Sequence, residues 1–198
     1  MEKRTFLRSA IGISAMSVLE SVGARTAAPA EPVLLTISGR VSHPNRGPLD
    51  DALDQLMLKQ GVAFKRARAF TYAELDGMPS SEIRPVLEYD AKRHTLRGPT
   101  LLRLLEIAGA SGDEGTLVRL RAVDGYAAAP TLAEVTRFQF IVATRIDGEP
   151  LPLGGLGPLW GVFDPGRIPE LAGKPLAAQF AQCPWGLYSV HFPEAGGK

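Results

Sequence analysis

The segment FQFIVATRIDGEPLPLGGLGPLWGVF, Phe138 to Phe163, constrains the fold more tightly than any other part of the chain. Two apolar runs rich in strand-forming residues frame a stretch that carries Pro150, Pro152, Gly154, Gly155, Gly157 and Pro158. The spacing predicts a strand over Phe138 to Gly148, turned at Asp147-Gly148, and a Gly- and Pro-shaped return into a second strand, LWGVF. A glycine-rich segment of this kind raises the possibility of a phosphate cradle. Neither G-x-G-x-x-G nor G-x-x-x-x-G-K occurs anywhere in the sequence, however, so no nucleotide-binding motif supports one.

The same mixture of short runs and turn signals continues on both sides. VLLTISGRV (Val33–Val41), Ala63 to Arg68, EIRPVLEYD, TLVRLRAV and GLYSVHF predict strands, with Pro85 marking an edge or irregularity. Leu49, Ala52, Leu53, Leu56 and Met57 fall at helical spacing and stop at Gly61. Thr71 lies three residues ahead of Glu74, as a capping box requires, with Gly77 and Pro79 ending that turn. The clearest helix is TLLRLLEIAGA, where Leu101, Leu104, Leu105 and Ala108 share a face between Thr100 and Gly109. A further helical turn opens at Thr131, and Leu176 to Gln182 is predicted helical. Strands outnumber helices without strict alternation, which predicts an α+β fold with a twisted or barrel-like mixed sheet and short helices.

Residues 1–30 read differently from the rest. Lys3, Arg4 and Arg8 precede a short apolar run, Ser9 to Leu19, and Ala28-Pro29-Ala30 offers a small-residue cleavage site. This is the order of an export signal, and KRTFLR is close to a twin-arginine signal with Lys3 in the first position. The expectation is a protein exported to a bacterial periplasm, with residues 31–198 as a single domain and no membrane span in the mature chain. The formal charge of +1 argues against nucleic acid as a partner.

Candidate chemistry is sparse. His43, His94 and His191 are far apart in sequence and none sits in a metal-ligand spacing, so no metal site is assigned. Cys183 is the single cysteine, so the fold has no internal disulfide and must hold by packing. No G-x-S-x-G elbow is present, and no catalytic residue is assigned. Asp124 and Asp147 each lead an Asp-Gly turn, Arg145 is placed to pair with Asp147 or an anion, and Trp160 and Trp185 are pocket candidates.

In order along the chain, TLRGPTLLRLLEIAGA, VRLRAVDGYAAAPTLAEV, FIVATRIDGEPLPLGGLGPLWGVFDP and WGLYSVHF resemble the molybdopterin-binding domain of the sulfite oxidase family. The likeness is to its small exported single-domain members and covers roughly Phe70 to Phe192. Asp124, Gly125 and Tyr126 match the family's D-G-Y element; Asp147, Gly148, Leu151 and Pro152 match its D-G-x-x-L-P element. The resemblance implies a sulfite-oxidase-type fold. It also implies a cysteine ligand to molybdenum before the T-L-x-x-L-L helix, and this chain has none there. Trp160 takes the place of an arginine and Gly155 that of a histidine, the two anion donors beside the G-x-P-L element. The expectation is therefore the family's fold without its molybdenum site. Its groove would take a small ligand or a partner protein, with Tyr126, Arg145 and Trp160 lining it and no cofactor. Two alternatives stand beside it: a molybdopterin-dependent oxidoreductase with Cys183 as an unconventional ligand, and an accessory or structural subunit of a redox or sensory complex.

Overall fold

The protein is described from a computed structural model, over residues 31–193. The export-signal reading of residues 1–30 lies outside the described residues. The main sheet has five strands: β1 (Val33–Gly39), β2 (Ala67–Thr71), β5 (Arg119–Ala122), β6 (Ala127–Ala128) and β11 (Leu187–Phe192). Their order is β2-β1-β11-β5-β6. Only β1 and β11 run parallel, pairing Ser38 with His191 and Gly39 with Phe192. The first and last strands are thus neighbours at the centre of the sheet, buried by Leu35, Ile37, Val190 and Phe192.

A second sheet, β3-β4-β8-β9, contains β3 (Ser81–Ile83), β4 (Leu96–Gly98), β8 (Arg145–Ile146) and β9 (Glu149–Pro150), all antiparallel. The remaining strands, β7 (Ile141–Ala143) and β10 (Trp160–Val162), form a two-stranded antiparallel sheet, with isolated bridges from Ile141 to Thr100 and from Trp160 to Trp185. All three sheets are open, so the fold is mixed α+β with short helices and lacks the barrel closure anticipated from the strand count. A close approach ties β4 to β7: a Cβ on Gly98 would lie 1.9 Å from the Val142 carbonyl oxygen, so any side chain there would force the strands apart.

The run Phe138 to Gly148, read from sequence as one strand, is divided. Phe138 caps helix α4 (Leu132–Arg137), and Gln139 turns the chain at a positive φ of 55° before β7 begins. Thr144 then separates β7 from β8. Its side chain is buried and its hydroxyl donates to Asp76 Oδ1 at 3.0 Å, while its amide donates to the Arg97 carbonyl. One continuous apolar run therefore serves two sheets. The predicted turn is present: Asp147 and Gly148 have φ of 49° and 90°, as a two-residue hairpin loop with the twist of its flanking strands requires.

The helix termini follow the sequence closely. Thr71 and Glu74 form the capping box of α2 (Tyr72–Asp76), and Thr131 and Glu134 that of α4. Thr100 caps α3 (Leu101–Ala108), which ends at a left-handed Gly109 and buries Leu101, Leu104, Leu105 and Ala108. Helix α5 (Leu176–Gln179) is a single turn before the last strand. Helix α1 is shorter than the apolar spacing predicts, covering only Gln55–Lys59 and burying Met57 alone. Asp50 Oδ1 accepts from the amides of Ala52 and Leu53 at 2.8 and 3.0 Å, and this local turn replaces the first turn of the expected helix. Leu53 is left 82% exposed. Strand β2 also begins later than Ala63, and β3 stops short of Pro85.

Candidate functional site

Three chain segments meet around a small cleft. The first is the loop between β3 and β4 that carries Glu88 and Tyr89. The second is the Asp124-Gly125-Tyr126 turn joining β5 to β6, and the third runs from Ala177 through Cys183, Pro184 and Trp185 into β11. The cleft encloses about 190 Å³.

Each wall has a local cause. Asp124 Oδ1 accepts from the Tyr126 amide at 2.8 Å, an Asx-type turn that presents the tyrosine outward. The Tyr126 hydroxyl crosses the cleft margin and donates to the Ala181 carbonyl at 2.7 Å, so the ring is held against the third segment. That segment is fixed from behind. Trp160 and Trp185 form an isolated antiparallel bridge, and Gly161 donates its amide to the Pro184 carbonyl at 3.1 Å. The Trp160 indole Nε1 donates to the Cys183 carbonyl at 2.9 Å, with its ring tilted against Phe180 at 6.0 Å.

The Glu88–Tyr89 loop is fastened to the β8–β9 turn. His94 Nδ1 lies 2.6 Å from Asp147 Oδ2 and its Nε2 lies 2.9 Å from Asp90 Oδ2. Asp147 Oδ1 also accepts from the Thr95 amide at 2.8 Å. Hydrogen bonds accepted by the Asp90 and Asp147 carboxylates raise the His94 pKa. The Thr95 amide, followed by His94, lowers that of Asp147. Both imidazole nitrogens are occupied by separate carboxylates, so the three groups do not converge on a common point where a metal would sit. Among the described residues no group of three or more His, Cys, Asp and Glu side chains is arranged to hold a metal ion.

The three residues singled out from the sequence have separate places. Tyr126 lines the cleft and is 47% exposed. Trp160 lies behind the cleft, buried, and meets its lining through Phe180, Cys183 and the bridge to Trp185. Arg145 is elsewhere, in β8. Its Nε and Nη2 take Asp76 Oδ1 and Oδ2 at 2.8 and 2.7 Å, and its Nη1 donates to the Gly148 carbonyl at 3.0 Å. This fork raises the guanidinium pKa further and lowers that of Asp76. Asp76, not Asp147, is thus its partner.

Cys183 lines the cleft floor but is buried. Burial pushes its thiol pKa well above the ordinary range; a hydrogen bond with the Phe163 backbone offsets this only in part, and the Glu88 charge adds to it. Glu88, Tyr89 and Trp185 complete the lining. Trp185 was a pocket candidate from sequence, whereas Glu88 and Tyr89 were read as the tail of a strand and carried no signal of their own. Tyr89, though 57% exposed, has its pKa pushed up to about 12, first by partial desolvation and then by the Glu88 carboxylate beside it.

Roomier hollows lie outside this region, and two of them serve for comparison. One, of about 460 Å³, runs beside Val33, Leu53, Leu56 and Leu153, and another, of about 670 Å³, beside Phe64, Lys65, Arg66 and His191. Neither receives the D-G-Y residues, and volume alone does not gather converging polar and aromatic groups as the smaller cleft does.

No family model matches this chain, and no curated protein does. Among solved structures it is similar to the sulfane dehydrogenase SoxCD from Paracoccus pantotrophus, with a TM-score of 0.53 and 13% identity. The match covers 80% of this chain and 37% of that one, so this chain spans little more than a third of its neighbour's length. At this identity the relationship is one of fold. No helix among the described residues is long and apolar enough to cross a membrane.

Proposed function

We propose that this chain is an exported domain of the sulfite-oxidase type in which the cofactor groove has become a cleft for a small ligand, with no molybdenum cofactor bound. The observation that carries the proposal is the composition of the cleft. It is lined by Glu88, Asp124, Tyr89, Tyr126 and Trp185, and no lysine or arginine lines it. A pterin phosphate needs cationic or amide donors, and two carboxylates oppose it. A soft metal needs converging ligands, and Cys183 is buried with no group of His, Cys, Asp or Glu side chains arranged around a metal among the described residues. The residues present do not fit the family's cofactor, and no chemical step is assigned through it.

A volume of about 190 Å³ suits a small molecule rather than a protein segment, which favours the ligand over the partner-protein alternative. The likeness in fold to a sulfane dehydrogenase is compatible with an oxidoreductase ancestry, but fold alone does not transfer activity. Export rests on the basic start, the short apolar run and Ala28-Pro29-Ala30. The test is direct. Protein isolated from its native compartment is denatured, and the released small molecules are identified by mass spectrometry. A near-stoichiometric compound that is lost in a Tyr89→Ala variant supports the proposal. Native protein that carries nothing and whose cleft responds to no added small molecule overturns it.

A further inference from the structure

We infer, building on the ligand-cleft reading above, that the cleft takes a small organic cation, an alkylated or quaternary ammonium compound. Among the described residues, the exposed aromatic side chains are Tyr89, Tyr126 and Trp185. All of them line this one cleft, together with Glu88 and Asp124. Chance exposure would scatter them, since single exposed hydrophobics are ordinary on any surface. Tyrosine and tryptophan rings carry negative π-density on their faces, and a quaternary ammonium held among them is attracted without giving up hydrogen bonds it does not make.

The charge pattern points the same way. The cleft holds two carboxylates and no cationic side chain, whereas Lys65 and Arg66 line one of the other hollows and Arg84, Arg93 and Arg167 another. The Tyr126 hydroxyl is already committed to the Ala181 carbonyl. The aromatic ring, rather than the hydroxyl, is therefore the part of Tyr126 left for a ligand. The floor of Ala177, Phe180, Cys183 and Pro184 is apolar, which suits methyl or methylene groups around the charged nitrogen.

The experiment uses tetramethylammonium and choline, against the neutral tert-butyl analogue of choline as an isostere, each titrated into the full chain at constant ionic strength. Binding is read by calorimetry and by the indole NMR signal of Trp185. The cations are expected to shift that signal and to bind at least about tenfold more tightly than the isostere. Glu88→Gln and Tyr89→Ala, both at the protein surface, are expected to weaken cation binding several-fold with the melting temperature retained. If the isostere binds at Trp185 as tightly as the cations, the inference falls while the ligand cleft stands. If neither class perturbs Trp185, and native protein carries no other small molecule, the inference and the ligand cleft fall together.

Discussion

Arg145 grips Asp76 through both carboxylate oxygens, at 2.8 and 2.7 Å, across 69 residues of sequence. Each side chain retains less than a third of its exposure, and Thr144 donates to the same carboxylate. The fork closes the C-terminal end of α2 onto β8 and uses a guanidinium that the sequence alone offered to Asp147 or an anion. The fork thereby joins two elements of the fold. Asp76→Asn and Arg145→Lys are both expected to lower the melting temperature by several degrees, because lysine cannot reproduce the planar fork. Cation binding at the cleft is expected to survive in both variants, and calorimetry checks it. The Asp76 pKa is lowered on folding, so this contribution is present above about pH 4, the range of an unperturbed aspartate, and disappears as the pH falls through the folded value.

The Asp90–His94–Asp147 chain gives a second pH signature of opposite sign. Because the folded His94 pKa is raised, its stabilisation is complete below about pH 6.5 and is lost as the pH rises through the folded value. Asp90 and Asp147, with lowered pKa values, lose theirs only in acid. Melting temperature is expected to decline between mildly acidic and alkaline pH. In His94→Gln that slope should flatten, and thermal scans across pH measure it.

Helix α3 is expected to respond as a capped, one-faced helix. Thr100→Ala removes the acceptor for the Arg103 amide and is expected to cost about 1 kcal/mol. Leu104→Ala empties a fully buried position and is expected to cost about 2–5 kcal/mol. Urea denaturation of the two variants checks the ranking.

Cys183 is expected to behave as a buried hydrophobe. Alkylating reagents at neutral pH should leave it unmodified in the native protein and label it once denaturant is added. Cys183→Ala should retain cation binding. Rapid native labelling with loss of binding would restore a chemical role to the thiol.

Legibility in the sequence divided along physical lines. Local chemistry was readable: the Thr71, Thr100 and Thr131 caps, the buried face of α3 and the Asp147-Gly148 turn all depend on residues within a few positions of one another. Long-range choices were not. The Phe138–Gly148 run carries no mark of the break at Thr144, because the partners that cause it, Asp76 and Arg97, lie in other segments. The apolar spacing before Met57 was outweighed by an Asp50 turn. In the cleft, Tyr126 was legible through its D-G-Y setting, and Trp185 through its residue type. Glu88 and Tyr89 were not, since only the fold brings their loop beside residues nearly a hundred positions away.

A cleft proposed to hold a small ligand and no molybdenum is tested first on its metal content. The most direct measurement is the molybdenum and extractable pterin content of the protein, isolated from its native cells supplied with molybdate. The account predicts both far below one per chain, unchanged by Cys183→Ala. Stoichiometric molybdenum with pterin, lost in Cys183→Ala, would contradict it.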